Sequence, residues 1–202
     1  ALNTVATDAK TAANNAAEAV NNSYLHVNSN KAGNKAKLNE RGNATGTDAI
    51  ALGPDATASG NNSIALGSNI TAGNTNTVSI GKDVKTSNVN SFSIGSNITN
   101  GATNALAVGG DVSVGGWADS GIAIGRGAKL DGTGSGATNS ANSSIAIGRG
   151  TYVKGENSLA LGTEANVSKQ GSVALGKSTK ATGEWSLAAG ADANAAADYT
   201  VA

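Results

Sequence analysis

Ile64-Ala65-Leu66-Gly67 and, 14 residues later, Val78-Ser79-Ile80-Gly81 are the stretch that decides the fold. The same pattern, apolar–small–apolar–Gly, recurs ten times, at 50–53, 64–67, 78–81, 92–95, 106–109, 122–125, 145–148, 159–162, 173–176 and 187–190. The glycines are spaced 14, 14, 14, 14, 16, 23, 14, 14 and 14 residues apart. A fixed period of this length marks a repeat architecture.

Three and five residues beyond each glycine lies a second, weaker element, as in Ile70 and Ala72, Val84 and Thr86, Val112 and Val114, or Ala165 and Val167. Alternation at period two predicts short strands with one buried face. Each unit therefore reads as strand, glycine turn, strand, polar turn, with Gly and Asn supplying the turn chemistry. One such unit cannot bury its own apolar face. Stacked units can, and this makes the chain all-β, a parallel β-solenoid of two sheets around a thin core. Ten turns at about 4.8 Å each give a rod of roughly 48 Å.

The middle residue of the tetrapeptide is small every time: Ala51, Ala65, Ser79, Ser93, Ala107, Ala123, Ala146, Ala160, Ala174 and Ala188. With the large apolar residues assigned to the interior, this position points outward. A free outer strand position accepts Thr, Lys or Glu readily. The eight alanines and two serines are thus expected to pack against a parallel copy of the same rod. Two units are longer than the rest. One carries Trp117, and in the other residues 131–143 supply nine extra residues; both insertions fall in the polar turn.

Composition agrees with a thin fold. The 202 residues include 28 Gly but only one Phe, two Trp and three Tyr, too few large side chains for a thick core. Lys plus Arg and Asp plus Glu are 14 each, and no basic stripe long enough for nucleic acid is evident. The cluster Lys31, Lys35, Lys37 and Arg41 reads as a solvated loop. Cysteine is absent, which excludes disulfides and thiol chemistry and suits export through a narrow pore. No apolar run reaches membrane-spanning length. Ala1 begins no signal peptide, so any targeting or anchoring segment is expected outside these residues.

At the N-terminus Leu2, Val5, Ala9, Ala12, Ala16 and Ala19 follow the alternating three–four spacing of a heptad. Residues 1–23 are assigned as a helix with coiled-coil spacing and 24–202 as the solenoid. Tyr24-Leu25-His26-Val27 reads as a strand capping the first turn, and Tyr199-Thr200-Val201 as a last strand.

The repeated Asn-Ser-Ile-Ala-Leu-Gly at 62–67 and Asn-Ser-Leu-Ala-Leu-Gly at 157–162 resemble the head repeats of trimeric autotransporter adhesins, the YadA-like head of Gram-negative bacteria. The lead-in at 24–29 and Ala44-Thr45-Gly46-Thr47-Asp48 are similar to the start of such heads. The resemblance implies a left-handed parallel β-roll assembled as a homotrimer, an extracellular passenger held at the outer membrane by a C-terminal anchor. It implies host partners such as collagen, fibronectin, laminin or carcinoembryonic-antigen-related adhesion molecules. The family's collagen motif ends in Ser three residues after the glycine. Here that position holds Ala56, Ile70, Val84, Ile98, Val112, Ala128, Thr151, Ala165, Thr179 and Ala193, which shifts the expectation towards a receptor or another matrix protein.

Nothing in the sequence assembles a catalytic or metal centre, and no cofactor is expected. The single histidine, His26, has no second His for a metal and no partnered base. Asp55, Asp83, Asp111 and Glu164 fall in turns of different repeats. Gly132-Thr133-Gly134-Ser135-Gly136 lacks the Gly-Lys-Ser/Thr ending of a phosphate loop. The period of 14 also fits neither calcium-binding nonapeptide arrays nor hexapeptide acyltransferases. The expected function is binding, with Trp117, Arg126, Arg149 and Tyr152 as candidate contact residues, since such side chains are enriched at interface hot spots. The other reading is a structural spacer whose self-association drives autoaggregation and biofilm formation.

Overall fold

The computed structural model describes residues 2–21, 44–132, 134 and 140–202. Helix α1, Leu2–Asn21, forms where Ala and other good helix formers dominate, and its residues 4–15 are exposed. The expected capping strand with His26, and the basic cluster at 31–41, lie outside the described residues, as does the boundary proposed at 23/24.

From Ala44 onward the chain is a parallel β-solenoid. In the first complete coil, β1 (Ile50–Leu52) and β2 (Ala56–Ala58) flank the Gly53 corner. In the next three coils the two strands run on through the corner as β3 (Ile64–Ala72), β4 (Val78–Thr86) and β5 (Phe92–Asn100). Pairing is parallel and advances one repeat per coil: Ile64 opposite Val78, Gly67 opposite Gly81, Ile70 opposite Val84. The long insertion does not disturb it, for Ile145 pairs with Ile122 across the 23-residue step. Nor does the shorter one, since Leu106 pairs with Ile122 across the 16-residue step.

Coils meet backbone to backbone at the glycine corner. Gly67 has φ +133°, and a β-carbon there would lie 1.8 Å from the carbonyl oxygen of Gly81. Both the dihedral and the space exclude a side chain. Two further positions per coil are left-handed, one of them the column Asn62, Asn76, Asn90 and Asn104. Asparagine tolerates that conformation. Its amide also links coils, since Asn76 Nδ2 donates to Asn90 Oδ1 at 2.9 Å and Asn90 Nδ2 to Asn104 Oδ1 at 3.0 Å.

The interior corrects the outward assignment of the small residues. Ala65, Ala107, Ala123, Ala146, Ala160, Ala174 and Ala188, with Ser79 and Ser93, are fully buried within a single chain, and Ala51 packs against the same core. The large neighbours face outward instead: Ile50 is 56 % exposed, Leu161 44 % and Leu66 37 %. Period two fixes that alternate residues share a face, but not which face is inside, and a shift of one residue exchanges them. Width decides the matter. The second strand already fills the lumen with Ile70, Val84, Ile98, Val112, Leu130, Val153 and Val167, so the opposite wall has room only for a methyl or hydroxymethyl group.

Polar groups in this narrow interior are paired. Ser158 N–H donates to Ser144 Oγ at 3.0 Å, while Ser144 Oγ donates to the Gly155 carbonyl at 2.8 Å; Ser172 and Ser186 repeat the arrangement in later coils. In coils three and four, where Ser replaces Ala, Ser79 Oγ donates to Thr86 Oγ1 (2.7 Å) and Thr86 Oγ1 to Ser93 Oγ (2.9 Å). Asn100 Nδ2 closes the chain on Ser93 Oγ at 3.3 Å. Buried hydroxyls satisfied in this way escape the desolvation penalty of unpaired ones.

Candidate interaction surfaces

The solenoid presents two chemically distinct outer faces. On the first sheet the outward residues are the flanks of each tetrapeptide, Ile64 and Leu66, Val78 and Ile80, Phe92 and Ile94, continuing through Ile145 and Ile147 to Val173 and Leu175. They stack in two parallel columns and remain partly or largely exposed. A contiguous apolar surface of this extent on a folded chain marks an interaction site. Alternation read with the larger side chains inside assigns these residues to the interior and so conceals this face, although the same tetrapeptide carries the signal for it.

On the second sheet the outward column is polar throughout: Thr57, Thr71, Lys85, Thr99, Ser113, Lys129, Tyr152, Asn166, Lys180 and Asn194. Tyr152 is paired in register with Lys129, whose Nζ lies 5.5 Å from the ring centroid. The Tyr152 hydroxyl donates to Asp131 Oδ2 at 2.5 Å, and Lys129 Nζ sits 3.5 Å from the same oxygen. Partial burial, then the hydrogen bond and charge of Asp131, push the phenol up to about 12. Arg126 and Arg149 occupy successive coils at the glycine corner, Arg126 3.7 Å from Asp111 and Arg149 2.9 Å from Glu164. At the same corner Asn69 donates to Asp83 at 2.7 Å, holding that carboxyl below its ordinary range, with Lys82 adding a smaller effect.

Of the four candidate contact residues, Arg126 and Arg149 share the corner column, and Tyr152 stands three residues beyond Arg149 in the outward column of the second sheet. Trp117 does not join them. It stands beyond the second strand, in the turn at the other end of it, 50 % exposed. Its N–H donates to the Gly132 carbonyl and its own carbonyl accepts from Ala141 N–H, so it marks where the long insertion leaves and rejoins the stack. Ser140 Oγ donates to Glu156 on the rejoining side. A second exposed indole, Trp185, lies in the left-handed turn column with φ 54°.

Residues 44–69, 140–165, 154–179 and 168–190 match the family model of the YadA head domain repeat, two copies to each match. The last three matches step by one coil of 14 residues. The solenoid is a YadA-like head domain. Its unmatched middle, 70–139, contains the coils whose interior turns polar at Ser79, Ser93 and Asn100, the turn that carries Trp117 and most of the 131–143 insertion. No curated protein matches the chain. YadA heads are surface-exposed parts of adhesin-type proteins, and the expectation from the repeats at 62–67 and 157–162 stands at that level. Among the described residues, no three His, Asp or Glu side chains gather where they could hold a metal ion.

Proposed function

We propose that the chain is the head of a trimeric surface adhesin, that three copies pack through the apolar columns of the first sheet, and that the second sheet is left to meet host matrix or a host cell-surface receptor. The observation that supports this reading is the outward apolar pair, mostly Ile, Leu and Val, in coil after coil. Burying one such side chain contributes about 1.5–3 kcal/mol relative to leaving it in water. Two positions per coil, repeated in register, give an interface that grows with rod length and favours parallel alignment. Trimerisation through these residues replaces the alanine contact expected from the sequence, and the alanines serve it only by keeping each coil thin.

The adhesin reading further assigns host contact to Arg126, Arg149 and Tyr152, with Trp117 as a separate contact beside the 131–143 insertion. Sedimentation of the purified chain and binding to immobilised matrix proteins and epithelial cells test the proposal together. A trimer that binds saturably, and loses binding on Arg149→Ala with Tyr152→Ala, supports it. A monomer sinks the assembly, and clumping of the trimer without any host binding favours the spacer reading.

A further inference from the structure

The basic residues of the solenoid are ordered in a way the tetrapeptide does not require. Nine Lys and Arg follow residue 44, and seven of them fall in two columns, one and four residues beyond the glycine. Three coils carry both: Lys82 with Lys85, Arg126 with Lys129, and Lys177 with Lys180. These are the third, sixth and ninth coils. At about 4.8 Å per coil the pairs recur every ~14 Å along one side of the rod. Arg149 and Tyr152 fill the same two columns in the coil after the second pair.

Five of the six paired side chains are exposed, and Lys129 is half-buried against Tyr152. Lys85, Lys177 and Lys180 form no ion pair among the described residues. Lys82 and Arg126 pair with Asp83 and Asp111 at 3.5 and 3.7 Å, and exposed pairs of this kind are weak and exchangeable, while Lys129 is held more firmly, 3.5 Å from the largely buried Asp131. Within the coils of the second and third pairs, the corner position between the two cations is Gly127 and Ser178, not an acid. The remaining outward positions of the second strand are hydroxyls and amides, such as Thr71, Thr99, Ser113 and Asn166, with the phenol of Tyr152, while the corner column carries Asp55, Asp111, Glu164 and Asp192 in coils that lack a basic pair.

We propose that this face binds an extended sulfated polysaccharide, a glycosaminoglycan chain lying along the rod with sulfates at successive basic pairs. The inference rests on the adhesin reading and names a partner for the second sheet. Evenly spaced cations suit a long polyanion, whose binding releases condensed counterions and so weakens steeply with salt. Hydroxyl and amide side chains between the cations suit sugar hydroxyls. Nucleic acid fits less well, because binding of single strands relies on successive aromatic platforms and this face offers only Tyr152.

The test uses the whole purified chain and immobilised heparan sulfate, with unsulfated hyaluronate and single-stranded DNA as comparisons. Binding should be strongest to heparan sulfate and should fall roughly tenfold or more between about 50 and 200 mM salt. Each double substitution, K82A/K85A, R126A/K129A or K177A/K180A, should weaken it by about fivefold or more and reduce the salt slope, while K169A, outside the columns, should not. These positions lie on the surface, so circular dichroism should be unchanged. Undiminished binding after all six substitutions overturns the inference, as does absence of binding at about 150 mM salt or preference for DNA. If heparinase-treated cells are still bound while purified heparan sulfate is not, the inference fails alone. If no cell or matrix protein is bound at all, the adhesin reading fails with it.

Discussion

The indole of Trp185 lies across Gly171. A β-carbon on Gly171 would come within 2.2 Å of Trp185 Cε3, and both residues occupy the left-handed turn column, at φ +65° and 54°. A bulky residue is uncommon in that conformation and costs on the order of 1–3 kcal/mol. Glycine one coil earlier removes the side chain that Asn157 carries in the coil before, and so leaves a bare backbone for the ring to cover.

Gly171→Ala should therefore expel the ring more than it unfolds the coil. The expected result is a red shift in Trp185 fluorescence, read in a Trp117→Phe background, with a stability loss of about 1 kcal/mol from the left-handed alanine. An unshifted emission maximum would show that the ring does not depend on the missing side chain.

Glycines of this solenoid are not equivalent. At Gly81, φ is +129° and a β-carbon would stand 1.8 Å from the Gly95 carbonyl oxygen, with no means of relief because both sides are backbone. Gly81→Ala should cost several kcal/mol and lower the melting temperature sharply. Gly110, whose nearest neighbour would be Ser96 Oγ at 3.5 Å, should accept Ala within about 1 kcal/mol in either direction. Thermal melts of the two variants side by side check the contrast.

Adjacent residues of one strand should fail in different ways. Ala160→Leu forces an isobutyl group into a full lumen and should destabilise the fold by about 1–3 kcal/mol or more. Leu161→Glu changes a residue that is 44 % exposed in the single chain; it should leave the circular dichroism intact and shift sedimentation towards smaller species. If Leu161→Glu sediments as the parent does, the apolar columns are not the interface.

Thr86→Val should be worse than its size suggests. It removes the hydroxyl that links Ser79 Oγ to Ser93 Oγ, leaving Ser79 Oγ only the Thr71 carbonyl and Ser93 Oγ only the Asn100 amide, at a cost of about 1 kcal/mol. Adding Ser79→Ala and Ser93→Ala should recover part of the loss, a coupling between the three sites that denaturant titration can measure.

Tyr152 gives the head a stability contribution with a defined pH window. Its folded-state pKa, about 12, lies above the ordinary 10.0, so the native state favours the neutral phenol. The associated stability is fully present below pH 10 and is lost as pH rises from 10 through about 12. Ultraviolet titration of a Tyr24→Phe, Tyr199→Phe variant should show one phenol ionising near pH 12. Asp131→Asn should bring that midpoint part of the way down, since burial, the larger cause, remains.

Period, strand direction and the placement of the second strand's buried residues were legible from the glycine spacing and from pairs such as Ile70 and Ala72. What could not be read was the phase of the first strand. Ile64-Ala65-Leu66 alternates equally well with either set inside, and only the distance to Val84 and Ile98 across the lumen settles it. The candidate surface was legible in part for a related reason. Arg126 and Arg149 share a register position that counting from the glycine reveals, as it does for Lys129 and Tyr152. Trp117 sits in a turn of altered length, where counting no longer says which side a residue is on.

Because Ile122 meets Ile145 as squarely as Ile64 meets Val78, despite nine additional residues between the former, axial reach is measured in coils and is indifferent to what each turn carries. Loops can be exchanged, lengthened or trimmed on the flank at 131–143 while every cation elsewhere keeps its height along the axis. Such a body separates two evolutionary demands, holding distance from the cell constant while the exposed decoration changes freely.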